Sequence, residues 1–307
     1  MSEIVLHHYA GSPFSEKVRL VLGFKGLSWR SVNVPMVMPK PDVMALTGGY
    51  RRTPFMQIGA DIYCDTALIC DVLDEIAPAP ALHPPGAQGA SRILAQWADS
   101  TLFWAAVPYA TQPAGAAVLF AGAPPEMAQA FGADRAAMNA GVPRPGGRDA
   151  AAQLHSYLAW LESQLADGRP YLCGNAASLA DFSTVQSIWF IRRVPPLATI
   201  LAPHQRLGAW ADRVLAIGHG ESEKMKSADA IALAKAGQPR AVQVAAGLGF
   251  DAGAAVVVTA LDYARDPVAG ELVGLSQERI TLRRVDERAG TVQVHFPRIG
   301  YSLKAAK

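Results

Sequence analysis

A short apolar run, Ile4-Val5-Leu6-His7-His8-Tyr9, is broken by Ala10-Gly11-Ser12-Pro13 and followed by Phe14, Val18, Val21 and Leu22 at helical spacing as far as Gly26. Ser12 fits the N-cap of that helix and Pro13 its first position, where a missing N–H costs nothing. A helix N-terminus carries unpaired N–H groups and a partial positive charge, so it receives anions. A hydroxyl there can donate to such an anion and favour its charged form. It can equally be a plain cap, worth about 1 kcal/mol to the helix. Ser15, one turn on, and Tyr9, at the strand end, are competing donors.

A second helix start lies at Asp65-Thr66, ahead of Leu68, Ile69, Val72 and Ile76, with Pro78 as the stop. Its free N–H groups and the Thr66 hydroxyl make it a second anion site; both Asp65 and Thr66 are also ordinary caps. Lys40 and Arg52 are cations able to neutralise a further carboxylate, although solvated surface positions are expected for both. Ser178-x-x-Asp181 is a capping box with Asp in place of Glu or Gln, a device for folding rather than chemistry. His7 and His8 point to opposite faces of one strand, so no metal site is expected from them. Cys64, Cys70 and Cys173 form no CxxC pair and no zinc spacing, and the first two are expected as buried apolar groups.

These residues need a frame. Ser28 to Val34 alternates like a strand and follows the first strand through a helix, which makes a parallel βαβ unit. A polar loop (Pro35 to Gly49), the apolar stretch Phe55 to Ile58 and Asp61 to Cys64 follow, the last two as a hairpin turned at Gly59-Ala60. Residues 88–236 are rich in Ala, Trp and Leu, with amphipathic stretches at 88–108, 149–167, 179–193 and 205–217. Between the first two, Pro113 to Gly147 shows weak periodicity and reads as a solvated loop or a loosely helical insertion. After about residue 240 there is no Trp, Met or Cys, and five short strands are expected at 241–245, 254–261, 271–275, 279–286 and 291–296. Pro/Gly-rich stretches at 78–85 and 237–239 mark the boundaries.

Length and composition limit the function classes. The 307 residues suggest about two domains. Half are hydrophobic and 18% are charged, which excludes extended disorder. With 28 Lys plus Arg against 26 Asp plus Glu, the charge of +2 advertises neither nucleic acid nor a membrane surface. The apolar run at 252–261 is far short of the roughly 18 residues a span needs, and MSEIVLHHYAGSP has no basic-then-apolar leader, so a cytoplasmic setting is expected.

The strand followed by Ser12-Pro13-Phe14-Ser15-Glu16-Lys17-Val18-Arg19-Leu20 resembles the active-site turn of the glutathione transferase superfamily. Thr53-Pro54 resembles that family's cis-proline, Asp65-Thr66-Ala67-Leu68-Ile69 its acidic-Ser-x-x-Ile element with Thr for Ser, and Ser178-Leu179-Ala180-Asp181 its buried capping box. The four motifs occur in order over residues 1 to about 220; the final 65 to 70 residues lie outside the pattern. The resemblance implies an α+β chain: a thioredoxin-like βαβ-ββα domain (1–80), an all-α domain (88–236) and a small C-terminal β meander or barrel (240–307) of unknown role.

The resemblance also implies chemistry. Glutathione would be the co-substrate, with no metal, and Ser12 the hydroxyl that stabilises its thiolate for attack on a small-molecule electrophile. Serine in place of cysteine argues against disulfide exchange. Thr53, before Pro54, would pair through its backbone with the cysteinyl part; Asp65 and Thr66 would hold the γ-glutamyl group; Lys40 or Arg52 would face the glycyl carboxylate. Phe14 would lie beneath an electrophile site lined by Phe103, Trp104 and Tyr109. A homodimer is the family habit. The alternative is a binding or regulatory protein that keeps the scaffold without turnover.

Overall fold

A computed structural model describes residues 3–306 of the chain. Strand β1 (Ile4–His8) leads through α1 (Pro13–Phe24) to β2 (Trp29–Asn33), which pairs with it in parallel. Ser12 caps α1 and its apolar stripe is buried, as the spacing predicts. Residues 35–49, read from the sequence as a loop, contain α2 (Pro41–Thr47). That helix ends at Gly48, whose φ of 74° few other residues adopt and whose open side is filled by Arg284. Strands β3 (Phe55–Ile58) and β4 (Asp61–Cys64) are antiparallel, β3 pairs antiparallel with β1, and α3 (Thr66–Ile76) follows.

The helical part comprises α4 (Gln88–Trp97), a π-helical turn at Ala98–Leu102, α5 (Phe103–Ala110), α6 (Pro113–Leu119), α7 (Pro125–Met138), α8 (Gly147–Gln164), α9 (Leu179–Arg192), the single turn α10 (Pro195–Ala198) and α11 (Gln205–Leu215). Helix α9 is its buried axis. The Asp181 carboxylate accepts from the Ser178 backbone N–H and hydroxyl at 2.9 and 2.8 Å, and from Leu172 N–H and Trp210 Nε1 at 2.8 Å each. Four bonds to one buried carboxylate explain why this cap holds neighbouring segments as well as its own helix.

Two sequence expectations change here. Residues 113–147 are mostly α6 and α7, not a solvated loop. Met138 is the buried residue of α7, and Asp134 and Arg135 supply its attachments, so an apolar stripe was never there to read. Second, the end of the segment expected to be all-helical belongs to the sheet. Strand β5 (Ser222–Lys224) pairs with β2, and α12 (Ser227–Ala236) packs through Ala230 and Leu233 against Val5 and Val32.

The last segment is a meander of β6 (Ala255–Ala260), β7 (Val268–Leu275), β8 (Arg279–Asp286) and β9 (Gly290–Pro297), with β10 (Tyr301–Ala305) returning beside β6. Of the expected strand at 241–245 there is a single bridge, Val244 to Leu275, and β10 was not foreseen. The meander does not close into a separate barrel. Strand β9 lies parallel to β4, pairing Asp61 with Gln293, Ile62 with Val294 and Tyr63 with His295. The result is one open ten-stranded sheet. One core lies between α1, α3 and the helices; a second joins Val43, Leu46, Phe55 and Ile62 to Leu272, Val294 and Phe296. Among the described residues no helix is long and apolar enough to cross a membrane.

Candidate functional site

The register of three adjacent strands gathers the motifs. His7 pairs with Phe55, and Phe55 with Cys64. The end of β1, the start of β3 and the end of β4 therefore meet at one edge, bringing Tyr9 and Ser12, Thr53 and Pro54, and Asp65 and Thr66 to the same end of the sheet. The Thr53–Pro54 peptide is cis.

Ser12 is buried, and its Oγ accepts the Ser15 N–H at 3.2 Å. That contact uses the oxygen as an acceptor, so the hydroxyl hydrogen remains available to an anion at the helix start. Among the described residues Ser15 Oγ is buried with no hydrogen-bond partner, and the Tyr9 phenol oxygen accepts from Arg135 Nη2 at 3.4 Å. Phe14 packs against Phe103 with ring centroids 4.5 Å apart and planes tilted by 42°.

Asp65 has a φ of 79°, a conformation that non-glycine residues hold only when their surroundings enforce it. Three bonds do so. Its N–H donates to Tyr50 Oη at 3.0 Å, its Oδ1 accepts from Ala67 N–H at 2.9 Å, and its Oδ2 accepts from Tyr301 Oη at 3.0 Å. Thr66 Oγ1 accepts from Lys17 Nζ at 3.2 Å, which turns the hydroxyl hydrogen outward as a donor. Lys17 is fully buried and pairs with Asp99 at 2.5 Å; Ser183 and Gln186 donate to the same carboxylate. Burial opposes the Lys17 charge, but Asp99 outweighs it and holds the ammonium above the ordinary lysine range. Asp99 is set into this position by the π-helical turn, a local widening common at working sites.

Lys40 and Arg52 are not the solvated surface charges expected from sequence: they are 4% and 7% exposed. Lys40 Nζ donates to the Arg51 carbonyl at 3.2 Å, and burial together with Arg135 and Arg51 brings it down to about 8. Arg52 pairs with Asp262 and the Tyr263 carbonyl of the last segment, leaving Nε without a partner among the described residues. Its guanidinium lies 3.9 Å from the Tyr263 ring centroid. Trp104 meets Tyr263 edge-on at 5.2 Å, with Arg144 lying 3.6 Å over the Trp104 ring. Of the aromatic residues expected to line an electrophile site, Phe14, Phe103 and Trp104 form a contiguous group. Tyr109 does not join it, because its hydroxyl donates to the Leu197 carbonyl at 3.0 Å.

His7 and His8 do face opposite ways, His7 to Gln57 and Phe55, His8 to Ser31 and Trp29. Cys64 and Cys70 are buried, and burial pushes the Cys70 thiol up to about 12, which leaves it inert as a nucleophile. Sequence reasoning missed Arg135, Asp262, Tyr263 and Tyr301. No periodicity or spacing marks them, since each reaches the site from an element more than 70 residues away in the chain.

Residues 6–81 match the family model of the glutathione S-transferase N-terminal domain, and residues 112–213 that of the C-terminal domain. No curated protein matches the sequence. A solved GST-like protein from Pseudomonas syringae is 40% identical, covers 100% of both chains and superposes with a TM-score of 0.83. Glutathione S-transferase III in its apo form has 21% identity over 70% of this chain and 92% of its own, with a TM-score of 0.54. The β-etherase LigF from Sphingobium sp. strain SYK-6 has 19% identity over 70% and 96%, with a TM-score of 0.53. The last two share the fold.

Proposed function

This chain belongs to the glutathione S-transferase superfamily, and on that premise we propose that it binds glutathione and activates its thiol through Ser12 for attack on an electrophile. The observation that carries this reading is the convergence of Ser12, cis Thr53–Pro54 and Asp65–Thr66 at one edge of the sheet. In this reading the γ-glutamyl carboxylate takes the N-terminal N–H groups of α3 and the Thr66 hydroxyl, while Asp65 takes the ammonium. The Thr53 backbone aligns the cysteinyl part, and the sulfur then lies over the N-terminus of α1.

A thiol near its free pKa of about 8.5 is mostly protonated at neutral pH. The positive end of α1 and a hydrogen bond from Ser12 favour the thiolate, and the proton leaves to water. The sulfur lone pair forms the S–C bond, and the leaving group departs with its bonding electrons. Phe14, Phe103 and Trp104 offer the apolar surface against which such an electrophile would rest. The same reading gives the protein a homodimeric, cytoplasmic form, as is usual in the family.

The test is a titration of bound glutathione, following the ultraviolet thiolate band in wild type and in Ser12→Ala. A depressed thiol pKa that returns toward the free value in the variant supports the mechanism. An equal shift in both chains reduces Ser12 to a cap and passes its role to Ser15 or Tyr9. Absence of glutathione binding rejects the enzyme reading.

A further inference from the structure

A cation stands at the end of the aromatic wall. Phe14, the second residue of α1, packs against Phe103, and Phe103 meets Trp104 edge-on with ring centroids 5.1 Å apart. The guanidinium of Arg144, on the segment between α7 and α8, lies 3.6 Å from the Trp104 ring centroid. A second line of contacts arrives there from the cis proline. Arg52, next to Thr53–Pro54, lies 3.9 Å from the Tyr263 ring centroid, and Tyr263 meets Trp104 edge-on at 5.2 Å. The Trp104–Arg144 pair is thus reached both from the capped start of α1 and from the strand end that would align the thiol.

Arg144 is held in place, but its charge is not matched. Pro143 and Pro145 restrict the backbone on either side, and Arg144 Nε donates to Asn139 Oδ1 at 3.2 Å. Among the described residues it has no ion pair: Asp262, the carboxylate that acts on it through space, is paired with Arg52. Two guanidinium groups therefore share one carboxylate. Burial, with Arg52 nearby, opposes the Arg144 charge, yet an arginine keeps its proton. Its Nη2 is buried, while Nη1 makes no hydrogen bond among the described residues and stays open to solvent. An open N–H on an unmatched guanidinium beside an aromatic face suits the carboxylate of a flat ligand.

We propose that Arg144 is a specificity-determining residue for the electrophile: the site takes an aromatic electrophile that carries a carboxylate, with the ring against Phe103 and Trp104 and the carboxylate on Arg144 Nη1. The proposal rests on the glutathione reading above and names the class of its second substrate. It also gives the segment between α7 and α8 a part in choosing that substrate.

The experiment is calorimetric binding of S-benzylglutathione and S-(4-carboxybenzyl)glutathione to wild type, Arg144→Gln and Arg144→Lys. Wild type should bind the carboxylated conjugate about tenfold more tightly than the neutral one. Arg144→Gln should abolish that preference while changing the affinity for S-benzylglutathione less than twofold, and Arg144→Lys should keep part of it. The preference should shrink as salt is raised, because Nη1 is open to solvent. Equal binding of the two conjugates by wild type, or a preference that survives in Arg144→Gln, overturns the proposal and leaves the glutathione reading intact. An equal loss of both ligands in the two variants makes Arg144 a support for Trp104 and overturns it as well. If wild type binds neither conjugate nor glutathione itself, the glutathione reading falls and this proposal falls with it.

Discussion

The Tyr301 hydroxyl donates to Asp65 Oδ2 at 3.0 Å, joining residues 236 positions apart. Burial and the nearby Asp65 push the phenol well up, so it remains a donor throughout the physiological range. With Tyr50 and Ala67 it holds Asp65 in its unusual backbone conformation at the start of α3.

Tyr301→Phe keeps the ring, whose centroid lies 5.4 Å from that of Phe296, and removes only the hydroxyl. A hydrogen bond to a charged group is worth about 1.5–3 kcal/mol. Urea unfolding should show a loss of about that size, and glutathione affinity should fall roughly three- to tenfold as Asp65 relaxes. Unchanged binding with lowered stability would show that the bond serves folding alone.

Removing residues 240–307 should not leave a soluble two-segment protein. Strand β9 covers the edge of β4, and Phe296, Val294 and Leu272 cover Ile62, Phe55 and Leu46. The cut would expose an unpaired strand edge and an apolar face together, a combination that aggregates. Size-exclusion chromatography of the truncated chain reads this directly. A monodisperse, folded product would refute it.

Lys17→Met should destabilise the protein by about 3–5 kcal/mol, because it leaves the Asp99 carboxylate in the interior without its cation. Adding Asp99→Leu should recover part of the loss, since the second change removes the stranded charge. Urea midpoints of the two single variants and the double variant test the coupling. Additive losses would mean that Lys17 and Asp99 act separately.

Acid should unfold the protein before most carboxylates titrate. Burial holds His7 at about 4, and burial with Arg19 holds His8 at about 4, both below the unfolded value of 6.5. Below 6.5 the unfolded chain takes up protons that the folded chain refuses. The stability is therefore complete above 6.5 and is lost as pH falls toward 4. The loss is about 1.4 kcal/mol per pH unit for each histidine. Urea midpoints between neutral pH and pH 4 should fall steeply, and His7→Gln should flatten the slope. A flat profile across that interval would contradict it.

The local devices of this protein were legible in its residues. Ser12-Pro13 caps α1, Asp65 caps α3, Ser178 and Asp181 box α9, and the alternating runs at 279–286 and 291–296 became β8 and β9. Each depends on contacts within a few residues, so its signal is written into neighbouring positions. Helix α7 was not legible, because polar bonds from Asp134 and Arg135 fasten it where an apolar stripe would have shown. Nor was the burial of Lys40 and Arg52, since a charged side chain looks the same in sequence whether water or a distant aspartate surrounds it.

The order of the sheet was decided only in three dimensions. Nothing in 290–297 marks that run for pairing with 61–64, because an edge strand offers generic N–H and C=O groups to any partner. Once that pairing formed, Tyr301 came to Asp65 and Asp262 to Arg52. The caps and periodicities determined which elements exist and what chemistry their ends can do. Tertiary packing decided that the last segment reaches Arg52 and Asp65, because contacts across 200 or more residues are selected by the shape and charge of the assembled surfaces.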